Sequence, residues 1–147
     1  WCCGLLARPA IPGVSALLLD RTAMLAERLL DSAPAPGVLH GDLHHDNVLK
    51  GPRGWCAIDP KGLWGDPVFD LANCFRNPEG FGAGLHDPAR AMQMATRAAA
   101  MLGHDRKRLL GWAAVQCGLS ICWDTEQGAP QADDIILLPV LLGLAGG

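Results

Sequence analysis

The densest run of potentially reactive side chains is the segment HGDLHHDN at residues 40–47. Asp, Asn and His are common in turns, so a solvated turn would explain one or two of these residues. A solvated turn does not readily explain why so many Asp, Asn and His residues occur within eight positions. Short apolar segments at residues 38–39 and 48–49 flank the run, which predicts a loop held between two strands. Loops on such a scaffold are where side chains are presented for chemistry.

One interpretation of this loop is the zinc site of a metal-dependent hydrolase, because His and Asp at close spacing can bind Zn²⁺. The loop has no His-x-His pair, however, and the remaining histidines, His86 and His104, are isolated in the sequence. The hydrolase therefore remains a minor alternative.

A second interpretation is phosphoryl transfer. Asp42 and Asn47 are separated by four residues, and Asp59 follows twelve residues after Asn47 at the end of an apolar strand predicted at 55–58. In such a reaction one carboxylate orients the acceptor hydroxyl, while an amide oxygen and a second carboxylate hold Mg²⁺. If strands 48–49 and 55–58 form a hairpin around the turn at 51–54, Asn47 and Asp59 meet at the same end of the ladder.

Helical patterns dominate the rest of the chain, which predicts an α+β fold that is mostly helical with one small β-hairpin. Asp66 followed by Pro67 is a typical helix start, and Gly103 and Gly128 follow two of the predicted helices. The predicted helices cover residues 15–31, 66–77, 87–102, 105–126 and 133–144.

Composition limits the class of protein. The 147 residues are 50% hydrophobic and 18% charged with a net charge of −3, which fits one modest globular domain and excludes a disordered chain. Since 12 Lys and Arg stand against 15 Asp and Glu, we expect no nucleic-acid partner. The longest apolar run, residues 135–144, is too short for a membrane helix and contains Pro139, so no membrane partner is expected.

No signal-peptide pattern is present, which predicts a cytoplasmic protein. The six cysteines lack a C-x-x-C pair and are expected to be reduced and mostly buried; they are Cys2, Cys3, Cys56, Cys74, Cys117 and Cys122. The chain starts at Trp1 and its mean hydropathy is +0.17, which suggests a fragment with apolar surface that expects a partner.

The motifs resemble those of a known family. Residues 40–49, HGDLHHDNVL, are similar to the catalytic motif of aminoglycoside phosphotransferases. Residues 57–62, AIDPKG, and 65–72, GDPVFDLA, resemble the streptomycin 6-kinase branch, which also contains hydroxyurea phosphotransferases. The segment WDTEQG at 123–128 resembles a segment near the C-terminal end of that branch, so the resemblance covers roughly residues 30–128.

The resemblance implies a protein-kinase-like C-terminal lobe that uses ATP and Mg²⁺. Asp42 becomes the catalytic base or hydroxyl-orienting carboxylate, and Asn47 and Asp59 become the ligands of Mg²⁺ beside the nucleotide. His40 is expected to position the loop. Asp70 would brace the loop through backbone amides, although an ordinary acid near a helix start is an equally good explanation.

The implied substrate is a cationic, hydroxyl-bearing small molecule of the aminoglycoside type, for which a carboxylate-lined pocket is expected. Solvent exposure and helix capping are competing explanations for each candidate contact. The candidate substrate contacts are His44, His45, Asp124 and Glu126, with Asp133 and Asp134 as a further acidic rim. Trp112 and Trp123 can share one helix face, where packing in the core is the default and a substrate wall the lesser possibility.

The resemblance also implies a missing part. Only 39 residues precede the loop, and they contain neither a lysine nor a glycine-rich phosphate loop. We therefore expect residues 1–147 to be the C-terminal lobe of a longer kinase whose N-terminal nucleotide lobe is missing. A non-catalytic remnant that binds a ligand or partner is the alternative. Lys61 could approach a phosphate, or be a solvated loop lysine.

Overall fold

The computed structural model describes residues 3–7, 10–78 and 80–146, apart from the side chain of Cys3. Among these residues helices predominate and two small sheets lie near the middle of the chain. The helices are α1 (Cys3–Leu6), α2 (Ala16–Asp31), α3 (Pro88–Leu102), α4 (Arg106–Gln127) and α5 (Ala132–Ala145), with 3-10 helices at His45–Asn47, Pro67–Arg76 and Gly82–Gly84. The strands are β1 (Gly37–Leu39), β2 (Val48–Gly51), β3 (Gly54–Ala57) and β4 (Leu63–Gly65).

Each sheet is one antiparallel pair. Strands β2 and β3 form the predicted hairpin, with Val48 opposite Ala57 and Gly51 opposite Gly54. Strand β1 pairs with β4, which was not predicted. Three residues are too few to show the alternation that marks a strand in a sequence, and pairing with β1 is what makes β4 extended.

The four long α-helices are confirmed, and two of them, α3 and α4, begin at a side-chain cap. The carboxylate of Asp87 accepts a hydrogen bond from the Ala89 amide, and that of Asp105 from the Arg108 amide. The predicted helix at 66–77 is instead a 3-10 helix, Pro67–Arg76. Over ten residues, apolar spacing does not separate a period of 3.0 from one of 3.6, which is why the sequence indicated only a helix.

Helix α4 forms the centre of the molecule. All its residues from 109 to 122 are buried, and it contacts α1, α2, α3, α5 and the Pro67–Arg76 helix. A helix buried on every side needs no polar face, which explains its apolar sequence. Trp112 packs edge-on against Phe69 with ring centroids 5.4 Å apart, so the core-packing interpretation holds for this tryptophan.

The cysteines follow this burial only in part. Cys117 and Cys122 on α4 are buried and free, and Cys74 is half-buried. Cys56 is exposed, so the prediction is wrong there, because every residue of its strand β3 faces solvent. Cys2 and the side chain of Cys3 lie outside the described part of the chain. No helix in that part is long and apolar enough to cross a membrane.

Candidate active site

The carboxylate of Asp70 holds the loop that follows β1. Asp70, in the Pro67–Arg76 helix, accepts hydrogen bonds from the amides of His40 and Gly41, each 2.8 Å long. Gly41 has φ +83, and a Cβ there would lie 2.8 Å from Leu63 Cδ1. A side chain at this position would push the loop away from Lys61 and β4, so only glycine fits.

His40 ties the loop to the end of the hairpin. Its Nε2 lies 2.8 Å from the carbonyl oxygen of Ile58, and its Nδ1 accepts a longer bond of 3.3 Å from the amide of Asp42. Together these contacts assign a neutral ring with the proton on Nε2. Both nitrogens are thus engaged with backbone groups.

Asp42 is fixed by neighbours on two sides. Its Oδ1 accepts a hydrogen bond of 3.0 Å from Nδ2 of Asn73, a residue only 6% exposed. Its backbone oxygen accepts a bond of 2.8 Å from Nδ2 of Asn47. Asn73 was not among the site residues predicted from the sequence. The signal for it was its position three residues after Asp70, which in a 3-10 helix puts both side chains on the same side.

Asp59 follows β3 with φ +56, the one non-glycine residue with positive φ in the described chain. Asp tolerates this backbone conformation better than most residues, and such positions cluster at functional sites. Its Oδ2 lies 2.9 Å from Nζ of Lys61. This hydrogen bond and charge hold the pKa of Asp59 below its ordinary value and raise the pKa of Lys61.

The oxygen donors beside Asp42 suit a hard divalent cation. The amide of Ile58 donates to the carbonyl oxygen of Asn47 over 2.9 Å, which sets Asn47 beside the hairpin end that leads into Asp59. Because Nδ2 of Asn47 is used within the loop, its amide oxygen is the group left for a cation. The Asp59 carboxylate is 67% exposed and accessible. An amide oxygen with a carboxylate is the donor chemistry that Mg²⁺ prefers.

A polar cavity of about 340 Å³ opens beside Asp42. Gly41 and Lys61 line it on the loop side, and Trp123 and Asp124 line it from α4. Gln116 also lines it; this residue is 3% exposed, and its amide oxygen has no hydrogen-bond partner among the described residues. Because Arg76 also lines it, the cavity presents both hydrogen-bond acceptors and cationic donors.

The four acids of the predicted rim lie in different surroundings. Asp134 is buried and ion-paired with Arg76, and Asp133 lies 3.0 Å from Nε2 of His86. Glu126 is exposed and does not line the polar cavity, whereas Asp124 does. Asp133 and Asp134 together line a separate cavity of about 240 Å³ beside Arg76.

His44 and His45 lie on a different, mostly apolar cavity of about 550 Å³, together with Trp55 and Cys74. His44 Nδ1 and His45 Nε2 lie 3.6 Å and 3.3 Å from the Asp46 carboxylate. These three residues form the one His, Cys and acidic cluster within the described residues whose spacing could hold a metal ion. They do not line the polar cavity that contains Asp42.

Comparison with known proteins gives related kinases. A streptomycin 3''-kinase from Klebsiella pneumoniae is 42% identical over 75% of this chain and 43% of the relative. A hydroxyurea phosphotransferase from Kitasatospora aureofaciens is 38% identical over 95% of the chain and 39% of the relative. A streptomycin 6-kinase from Streptomyces glaucescens is 35% identical over 84% of the chain and 40% of the relative.

The chain spans about two fifths of the length of these relatives. No solved structure gives a significant match. The model of the aminoglycoside/hydroxyurea antibiotic resistance kinase family matches residues 5–128. This range includes Asp42, Asn47 and Asp59 and the residues that hold them. The chain therefore belongs to the aminoglycoside/hydroxyurea antibiotic resistance kinase family.

Proposed function

We propose that the protein containing this chain is an ATP-dependent phosphotransferase that acts on a hydroxyl group of an aminoglycoside-type small molecule. The observation that carries the proposal is the position of Asp42. Its carboxylate lines the polar cavity, on a loop braced by Asp70, next to the two oxygen donors Asn47 and Asp59. That is the set of groups that phosphoryl transfer requires.

In this mechanism Asp42 orients the substrate hydroxyl and accepts its proton as the new O–P bond forms and the bond from phosphorus to ADP breaks. Asn73 holds Oδ1 of Asp42, so Oδ2, which lies 3.6 Å from Nζ of Lys61, is the oxygen proposed to face the hydroxyl. Asn47 and Asp59 would hold Mg²⁺, which neutralises charge on the nucleotide phosphates. His40 contributes by holding the loop, since both of its ring nitrogens contact the backbone.

The cavity supports a substrate with hydrogen-bond donors, while its charge is mixed, because Lys61 and Arg76 line it together with two carboxylates. Asp42 and Asp124 supply carboxylates, and Gln116 adds an amide oxygen that lacks a partner within the described chain. An N–H or O–H of a ligand would offset the cost of leaving such a buried oxygen unpaired, about 1–3 kcal/mol. Two relatives are named as kinases of streptomycin at different positions, so the proposal is made for the aminoglycoside class.

We further propose that residues 1–147 correspond to the C-terminal, catalytic lobe of a kinase-like fold. The relatives are more than twice as long as the matched region. On this proposal, the elements that cover the nucleotide come from the remaining length of such a protein.

The test uses the complete gene product that contains this chain. We expect Mg²⁺-dependent ADP formation that streptomycin stimulates, and a loss of at least about 100-fold in kcat in Asp42→Ala. Asp31→Ala, at the exposed end of α2, is the matched control and should leave kcat unchanged. Lack of stimulation by every aminoglycoside tried would contradict the substrate class. Full activity in Asp42→Ala would contradict the mechanism.

The cluster of His44, His45 and Asp46 favours one alternative, a zinc-dependent hydrolase. That function requires stoichiometric zinc in the purified protein and hydrolysis that His45→Ala abolishes. ADP formation that depends on an acceptor and persists in zinc-free protein would exclude it.

A further inference from the structure

Lys61 is the basic side chain closest to both carboxylates of the site in the described chain. Its Nζ lies 2.9 Å from Oδ2 of Asp59 and 3.6 Å from Oδ2 of Asp42. The ammonium group therefore bridges the two residues that the proposed function uses as metal ligand and base.

The backbone of Lys61 is anchored beside the loop that carries Asp42. Its amide donates a hydrogen bond of 2.7 Å to the carbonyl oxygen of His40, directly before the loop glycine. A Cβ on Gly41 would come within 3.3 Å of Lys61 Cβ, so the glycine is what permits this close approach. The side chain is 44% exposed and lines the polar cavity beside Asp42.

A cation at this point reduces the repulsion between negative charges in the site. Asp42 and Asp59 carry like charges on one side of the site, and phosphoryl oxygens would add further negative charge. Lysine is a compact, mobile point charge that can change partners by rotating its stem. An exposed ion pair is weak, so a divalent cation can replace the ammonium group at Asp59.

On the basis of the proposed function, we propose that Lys61 is a further functional residue of the phosphotransfer site. Its ammonium group neutralises Asp42 and Asp59 before a divalent cation binds, releases Asp59 to that cation, and then contacts the oxygens of the transferred phosphoryl group. The covalent change is that of the proposed reaction: the bond from phosphorus to ADP breaks, the bond to the substrate oxygen forms, and the proton goes to Asp42. Lys61 stays protonated throughout and supplies charge alone.

The first test measures metal binding without activity. Mn²⁺ serves as the probe, and its free concentration is followed by electron paramagnetic resonance in the nucleotide-free gene product. Lys61→Met should bind Mn²⁺ about three- to tenfold more tightly than wild type, because a competing charge has been removed. Lys50→Met, a lysine on the exposed hairpin away from both carboxylates, should bind as wild type does. Adding Asp59→Ala to Lys61→Met should abolish the gain.

The second test measures turnover. Lys61→Met should lower kcat about 10- to 100-fold with little change in KM for ATP, and Lys61→Arg should recover part of the loss. Lys50→Met should again match wild type. A purely structural lysine would not produce tighter Mn²⁺ binding together with lower kcat.

The outcomes separate the two proposals. If the wild-type protein transfers phosphate and Lys61→Met leaves either kcat or Mn²⁺ affinity unchanged, the role of Lys61 is overturned while the function stands. If no phosphate is transferred by wild type, the proposed function fails. In that case the catalytic part of the Lys61 proposal falls with it, and unchanged Mn²⁺ affinity would overturn the remainder.

Discussion

At the scale of single residues, the site depends on side chains that hold backbone in place. Asp70 accepts two amide hydrogen bonds from the loop, and Asn73, one turn further, holds the carboxylate of Asp42. Neither residue faces the polar cavity. The geometry of the candidate base therefore rests on one turn of 3-10 helix beneath it.

Asp70→Asn tests this dependence. The substitution keeps the size of the side chain but turns one acceptor into an N–H group facing a backbone amide. We expect a loss of about 1–3 kcal/mol in the free energy of unfolding, measured by urea titration. Asp46→Asn, on a carboxylate that is 70% exposed, should change stability by less than about 0.5 kcal/mol. Equal effects of the two substitutions would contradict the bracing role.

At the scale of elements, helices with end signals could be predicted and short paired segments could not. Asp87 and Gly103 mark α3 within one residue at each end. Strand β4 is extended only because β1 lies beside it, and that pairing joins segments more than twenty residues apart. Local patterns do not carry such contacts.

The residues of the site also fall into those that could be predicted from the sequence and those that could not. The spacing of Asp42, Asn47 and Asp59 could be recognised because all three flank one hairpin. The partners of Asp134 and Asn73 come from other elements, so neither the ion pair of Asp134 nor the contact of Asn73 with Asp42 could be predicted from local spacing. Local sequence patterns do not show which side chains of different elements point toward each other.

Arg76 joins three elements. It lies in the Pro67–Arg76 helix, pairs with Asp134 of α5 and donates a hydrogen bond to Ser120 of α4. Since Asp134 is only 3% exposed, Arg76 rather than bulk solvent is the main partner of its charge. The pair therefore fixes how α5 docks against the helix that carries Asp70.

Arg76→Met should destabilise the protein by about 3–5 kcal/mol, because it leaves a buried carboxylate unpaired. The double variant Arg76→Met with Asp134→Leu should recover most of that loss, since no buried charge remains. Both are measured by urea unfolding monitored by far-UV circular dichroism. A double variant no more stable than Arg76→Met would show that Asp134 is not the source of the cost.

At the scale of the whole molecule, apolar residues serve two different surfaces. Helix α4 is buried on all sides, whereas both small sheets present large apolar side chains to solvent. Val38 is 78% exposed, and Trp64, directly opposite it on β4, is 70% exposed, as is Trp55 on β3. The high mean hydropathy thus reflects a filled core and an uncovered sheet surface together.

Helices α2 and α4, which are in contact, approach each other closely, and glycine permits this approach. A Cβ on Gly118 would lie 2.8 Å from Cγ2 of Thr22, which is fully buried and whose hydroxyl is bound to the Leu18 carbonyl oxygen. That hydrogen bond holds the rotamer, so the methyl group cannot move aside. Gly143, on the exposed side of α5, has no atom within 4 Å of such a Cβ.

The two glycines should therefore respond to alanine with opposite signs. Gly143→Ala should stabilise the protein by about 0.5–1 kcal/mol through helix propensity alone. Gly118→Ala gains the same propensity but forces two helices apart, and overpacking of about 1–3 kcal/mol should make it destabilising overall. Adding Thr22→Ser, which removes the methyl group and keeps the hydroxyl, should restore stability to Gly118→Ala. If Gly118→Ala stabilised the protein as Gly143→Ala does in thermal unfolding, α2 and α4 could not be in contact at Thr22.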